Sequence, residues 1–131
     1  MLYVLHGDPQ AMARPRFGKG RVYDAQSNLK LVLCIDLRNQ HGKLPTYKGA
    51  LELQCVFYID IPARFGKRHR LSHVNTGCIA RPDLDNYLKM LCDCSQQAGL
   101  FADDAQICRI YAQKLYCDKD SRTEFSICEI L

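Results

Sequence analysis

Four aspartates frame one stretch of this 131-residue sequence. Asp83 and Asp85 lie in Arg81-Pro82-Asp83-Leu84-Asp85-Asn86-Tyr87-Leu88-Lys89, and Asp103-Asp104 follow before an apolar run that begins at Ile107. Carboxylates brought to one place repel each other unless a cation neutralises them. Hard oxygen donors of this kind suit Mg²⁺ or Mn²⁺. The matching chemistry is phosphodiester hydrolysis, in which metal-held oxygens polarise the phosphate, activate water and stabilise the leaving oxygen. Lys89 is four residues after Asp85 and shares its face of a helix, where it can contact the scissile phosphate or position a water. Plain structural roles compete with this reading: an N-cap for Asp83, and a turn before a strand for Asp103-Asp104. Spacing alone leaves both open.

The elements around these residues decide whether they can meet. Pro82 cannot occupy a helix interior but suits a start, so a helix is expected from here to Gly99, a residue typical just past a helix end. On a helix, residues i and i+2 diverge by ~200°. Asp83 and Asp85 therefore converge only if Asp83 stands before the helix proper. Upstream, Tyr3–Gly7 reads as a short strand, and Ala13–Tyr23, with Pro15, Gly18 and Gly20, as an extended loop. From Ala25 to His41 a helix is expected, with Leu29, Val32, Leu33 and Leu37 inward and Lys30, Asp36 and Arg38 outward. Leu51, Leu53, Cys55, Phe57, Ile59 and Ile61 alternate with polar residues and mark the clearest strand, ended by Pro62. Arg64–Arg81 lacks periodicity and reads as a long loop. Ile107–Tyr116, carrying Arg109 and Lys114, and Thr123–Ile130 read as strands forming a hairpin. The expected fold is a single small α/β domain over residues 1–131, of α+β type with a mixed sheet, in the order β-α-β-α-β-β.

Composition supports a globular chain: 47% hydrophobic and 24% charged residues. No apolar run approaches the ~20 residues that span a bilayer, and the N-terminus lacks the pattern of a signal peptide, so a cytoplasmic protein without membrane contact is expected. Eight cysteines include no CxxC pair, so zinc spacing is absent. They read as reduced, mostly buried thiols. The distribution of charge says more than the net +4. Arg14, Arg16, Lys19 and Arg21 lie in one acid-free stretch; Arg64, Lys67, Arg68, Arg70 and Arg81 lie in a second, with His69 and His73. The segment between Asp83 and Asp104 holds five aspartates and one lysine. Basic flanks around an acidic centre are what a nuclease needs, the flanks holding a polyanion while the acids hold metal. Solvated basic loops are the alternative.

The segment Arg81–Lys89, the later Asp93, and Gly99-Leu100-Phe101-Ala102-Asp103-Asp104-Ala105-Gln106-Ile107 together resemble the RusA family of Holliday junction resolvases. The Arg14-Pro15-Arg16 stretch ending in Val22-Tyr23, and Lys114, are also similar to that family, and the resemblance covers nearly the whole chain. It implies a homodimeric, Mg²⁺-dependent endonuclease, with Mn²⁺ as an expected substitute, that nicks four-way DNA junctions symmetrically in recombination and repair. It implies Asp83, Asp85 and Asp104 as catalytic acids and metal ligands, Asp103 as a further metal candidate, and Lys89 as a catalytic basic residue. Arg14, Arg16, Lys19, Arg21, Lys67, Arg68, Arg70, Arg81 and Lys114 are the expected DNA contacts, with no small-molecule cofactor. A nuclease acting on flaps or single strands, and a non-catalytic nucleic-acid-binding module, are the readings of another class.

Overall fold

The computed structural model of the chain describes residues 1–13, 16–18, 20–23 and 26–131. Strand β1 (Leu2–His6) is followed by a two-stranded antiparallel hairpin, β2 (Arg16–Gly18) and β3 (Arg21–Tyr23). Helix α1 (Ser27–His41), strand β4 (Leu51–Asp60), helix α2 (Leu84–Gln97), and strands β5 (Ile107–Cys117) and β6 (Arg122–Glu129) complete the order. This is a small mixed α+β domain. It departs from expectation where Ala13–Tyr23 was expected to be loop throughout: a hairpin precedes α1 there.

The main sheet runs β1-β6-β4-β5, with β4 parallel to β5 and the other pairs antiparallel. The expected hairpin of the last two strands is therefore wrong, because β4 lies between them. Strand β4 buries Leu51, Leu53, Cys55 and Phe57 in strict alternation and takes the inside of the sheet. Strand β5 is exposed over most of its first half and takes an edge. Its four-residue connection to β6 can cross the ~10 Å of two strand spacings, since each residue extends by ~3.3 Å.

Both helices pack on one face of this sheet. Cys34 and Leu37 of α1, with Tyr87, Met90, Leu91 and Cys94 of α2, join Tyr3, Phe57, Phe125 and Ile127 in one core. The rings of Phe57 and Tyr87 stack with centroids 5.1 Å apart, tying the middle of β4 to the first turn of α2. In α1 the inward stripe runs through Cys34, Leu37 and His41, while Val32 faces outward at 64% exposure, so that one position of the expected face was misassigned. Lys30, expected outward, is instead partly buried and 3.3 Å from Asp93.

Between Ala63 and Arg81 the chain makes short 3₁₀ turns at Ala63–Phe65 and Leu71–His73 and is otherwise irregular. It folds over a small second core of Ile61, Cys78 and Tyr116, with His73 against Phe65 and Tyr116. All eight cysteines are free thiols; five are buried, while Cys108 and Cys128 are exposed.

Candidate active site

Asp83 does stand before the helix. It is the N-cap of α2, with extended φ −69° and ψ 150°. Its carbonyl accepts from Asn86 N at 3.1 Å and Tyr87 N at 3.4 Å, while its carboxylate makes no capping bond. Among the described residues its one ion-pair partner is Arg81, whose Nη1 lies 4.0 Å from Asp83 Oδ1. Both side chains are largely exposed, so solvent and salt reduce this contact to little.

Burial of Tyr87, Met90, Leu91 and Cys94 fixes the rotation of α2 and turns Asp85 and Lys89 to solvent on its opposite side. Their i, i+4 spacing places them one turn apart along that side. Asp93, further on, is held by Lys30 and by Gln97 Nε2 at 3.2 Å, so its charge is already used.

Asp103 and Asp104 differ in role although adjacent. Asp103 caps the 3₁₀ turn Asp104–Gln106: Ala105 N donates to its Oδ1 at 3.0 Å, and the Gln106 Oε1 accepts from Asp103 N at 3.0 Å. Gln106 also donates from Nε2 to Gly49 O at 3.0 Å, anchoring the turn to the start of β4. The backbone N–H of Asp104 donates to Gln96 Oε1 on α2 at 3.1 Å, and among the described residues the Asp104 carboxylate has no hydrogen-bond or ion-pair partner.

Beyond this turn, β5 enters with a register shift: Leu51 pairs with Ile107 but Glu52 pairs with Arg109. The skipped Cys108 forms a β-bulge, so Ile107 and Ile110 line the same side of the strand despite odd spacing. They form one wall of an open cavity of about 440 Å³, opposite Leu88 of α2. Lys89, Asp93 and Asp104 supply its polar groups. The Cys92 thiol shares this cavity and is pushed up to about 11 by burial, with the Asp104 and Asp93 charges adding to the effect. It is therefore a neutral wall at ordinary pH.

The donors fit a hard divalent cation. Among the described residues, neither the Asp85 nor the Asp104 carboxylate has a hydrogen-bond or ion-pair partner, and Asp83 has only its distant arginine. The structure does not gather them: among the described residues no three His, Cys, Asp or Glu side chains stand close enough to hold an ion. Lys89 and Asp104 meet at one cavity; Asp83 and Asp85 stand outside its lining, at the N-terminal end of α2.

A family model described as "Endodeoxyribonuclease RusA" matches residues 6–128. The chain belongs to the RusA family. No single curated protein matches it. The RusA match spans every candidate residue named above, so the aspartates, Lys89 and the basic stretches fall within one family unit.

The expected DNA contacts divide. Lys67, Arg68 and Arg81 are exposed, and among the described residues Lys67 and Arg68 have no partner. Arg70 is engaged internally: its Nε lies 2.6 Å from Asp118 Oδ1 and its Nη1 donates to Ile61 O at 2.9 Å. Lys114 is likewise turned inward onto backbone carbonyls, donating to Pro82 O at 2.8 Å. Arg14 and Lys19 lie outside the described residues, and so do the side chains of Arg16 and Arg21. No described helix is long and apolar enough to cross a membrane.

Sequence reasoning missed Gln96 and the anchoring role of Gln106. The second was findable, because Asp103-x-x-Gln106 has the spacing of a capping box. Nothing in the spacing of Gln96 marks it.

Proposed function

We propose that this chain is a Mg²⁺-dependent endonuclease that cuts four-way DNA junctions, acting in recombination and repair. The reading rests on RusA family membership and is supported by one observation above others: among the described residues the Asp104 carboxylate has no partner, and it lines one open cavity with Lys89, one helical turn from the likewise unpartnered Asp85. Asp83, Asp85 and Asp104 would hold the metal, and Asp103, its Oδ1 already accepting from a backbone N–H, would serve the turn instead. When bound, Mg²⁺ supplies a Lewis acid that activates a water and offsets charge on the phosphodiester. Lys89 contributes a fixed ammonium against the phosphate oxygens as negative charge grows there. The exposed Lys67, Arg68 and Arg81 neutralise neighbouring phosphates and hold the junction in register. Hydrolysis leaves a 5′-phosphate and a 3′-hydroxyl. A twofold homodimer presents two such sites to strands of like polarity and makes paired nicks.

One assay tests the whole reading. Labelled four-way junction, flap, duplex and single strand are incubated with and without Mg²⁺, or with Mn²⁺ as substitute. Paired nicks confined to the junction and abolished by chelation are expected. Asp85→Asn should bind the junction normally and not cut it; an Asp85→Asn protein that resolves junctions at the wild-type rate removes the assignment. Preferred cutting of flaps would move the substrate to other branched DNA. Indifference to chelator, with binding intact, would make the chain a non-catalytic binding module.

A further inference from the structure

We infer that Lys114 is a positioning residue for Asp83, acting through the backbone rather than on DNA. The inference rests on the nuclease reading above. Lys114 lies on β5 with its side chain only partly exposed, and its Nζ donates to both Ala80 O and Pro82 O, at 2.5 Å and 2.8 Å. An ammonium has three donors and no acceptor, so two carbonyls from one short segment fix it and are fixed by it. The strand backbone holds the same segment: Cys78 N donates to Lys114 O at 2.9 Å, and Gly77 bridges to Leu115. Pro82 is covalently joined to Asp83, whose own carboxylate makes no capping bond and, among the described residues, meets only the exposed Arg81, 4.0 Å away. Two restraints therefore place the backbone that carries that carboxylate. On its C-terminal side α2 takes the Asp83 carbonyl; on its N-terminal side Lys114 takes the Pro82 carbonyl. Removing the ammonium frees the Pro82 carbonyl and leaves that side held only further back, at Gly77 and Cys78, and a ligand displaced by ~1 Å loses about a hundredfold in rate.

A lysine that contacts phosphate and a lysine that positions a carboxylate give different readouts. The test compares wild type, Lys114→Met and Lys114→Arg by Mn²⁺ binding to DNA-free protein followed by electron paramagnetic resonance, by single-turnover junction cleavage, and by junction binding in chelator. Lys114→Met is expected to weaken Mn²⁺ binding and slow cleavage by about 10- to 100-fold, with junction affinity and its salt dependence unchanged. Lys114→Arg, which can still donate to two carbonyls, should recover most of both. On an Asp83→Asn background, Lys114→Met should add no further loss of Mn²⁺ affinity, since the group it positions is already altered. If Lys114→Met fails to fold by thermal melting, Lys114→Gln, which keeps a donor, carries the same comparison. Unchanged Mn²⁺ affinity overturns the inference. If junction binding then falls and its salt slope becomes shallower by about one, the lysine is a phosphate contact. A wild-type protein that cuts no DNA defeats the nuclease reading alone, because the Mn²⁺ titration still decides the positioning; a wild-type protein that binds no Mn²⁺ overturns the positioning.

Discussion

Gln96 and Asp104 are joined side chain to backbone, the Gln96 Oε1 accepting the Asp104 N–H at 3.1 Å. Through that bond the last turns of α2 set where the third carboxylate stands relative to Lys89, on the same helix. Replacing Gln96 with Leu keeps the volume and removes the acceptor. The bond is near the surface, so folding stability should fall by no more than ~1 kcal/mol. On the metal-dependent reading proposed above, cleavage should fall further, by about 10- to 100-fold, the range for groups that orient metal ligands. Thermal melts beside single-turnover rates check this; equal loss in both would make Gln96 merely structural.

Asp103 and Asp104 should separate under the same pair of substitutions. Asp103 already accepts from Ala105 N, and asparagine keeps an oxygen there, so Asp103→Asn should cut DNA close to the wild-type rate. Asp103→Ala loses the cap and should cost ~1 kcal/mol. Asp104→Asn keeps the backbone bond to Gln96 but removes an unpartnered charge. It should melt as wild type does and fail to cleave. Full activity in Asp104→Asn would remove this residue from the catalytic set.

Much of this was legible in the sequence because it depends on local rules. The proline before Asp83 and the glycine at position 99, here at φ +84°, bracket α2 as written, and the alternation of β4 is buried as read. What was not legible depends on long-range pairing. Adjacent strands with a polar turn suggest a hairpin, but burial on β4 outweighed proximity and split them. The bulge at Cys108 is invisible to period-2 counting, yet it sets which isoleucines face the cavity. Arg70 was expected at DNA from the charge of its stretch and Lys114 from the family resemblance, and neither ground reveals an internal partner. Asp118 and the Pro82 carbonyl, far away along the chain, claim them.

The buried thiols predict how the fold responds to alkali. Burial pushes Cys55 and Cys94 up to about 12 and Cys92 to about 11, from an ordinary 9.0. Between pH 9 and those values the unfolded chain has lost protons that the folded chain keeps. Fewer protons on the unfolded state means stability falls as pH rises through this window. Below pH 9 both states hold the protons and the thiols add no slope. Denaturant melts of wild type and Cys94→Ala at pH 7, 9, 10 and 11 test this. The variant should start less stable, from the cavity, and lose less than wild type between pH 9 and 11; parallel losses would rule the thiol out.

Arg68 and Arg70 sit two residues apart and should behave oppositely. Arg68 is exposed and, among the described residues, without a partner, so its guanidinium is free to meet a phosphate. Arg68→Ala should lower junction affinity, and the slope of log affinity against log salt should become shallower by about 0.9, the release associated with one phosphate. Its melting temperature should not move. Arg70 binds Asp118 and the Ile61 carbonyl, joining the 3₁₀ segment to the end of β5. Arg70→Ala leaves the part-buried Ile61 carbonyl short of a donor, while the exposed Asp118 is taken up by water, and should lower stability by about 1 kcal/mol. Its salt slope should match wild type, because no phosphate contact is lost. Binding measured across a salt series, with melts on the same samples, separates the two. A shallower slope in Arg70→Ala would show that its guanidinium leaves Asp118 for DNA in the complex.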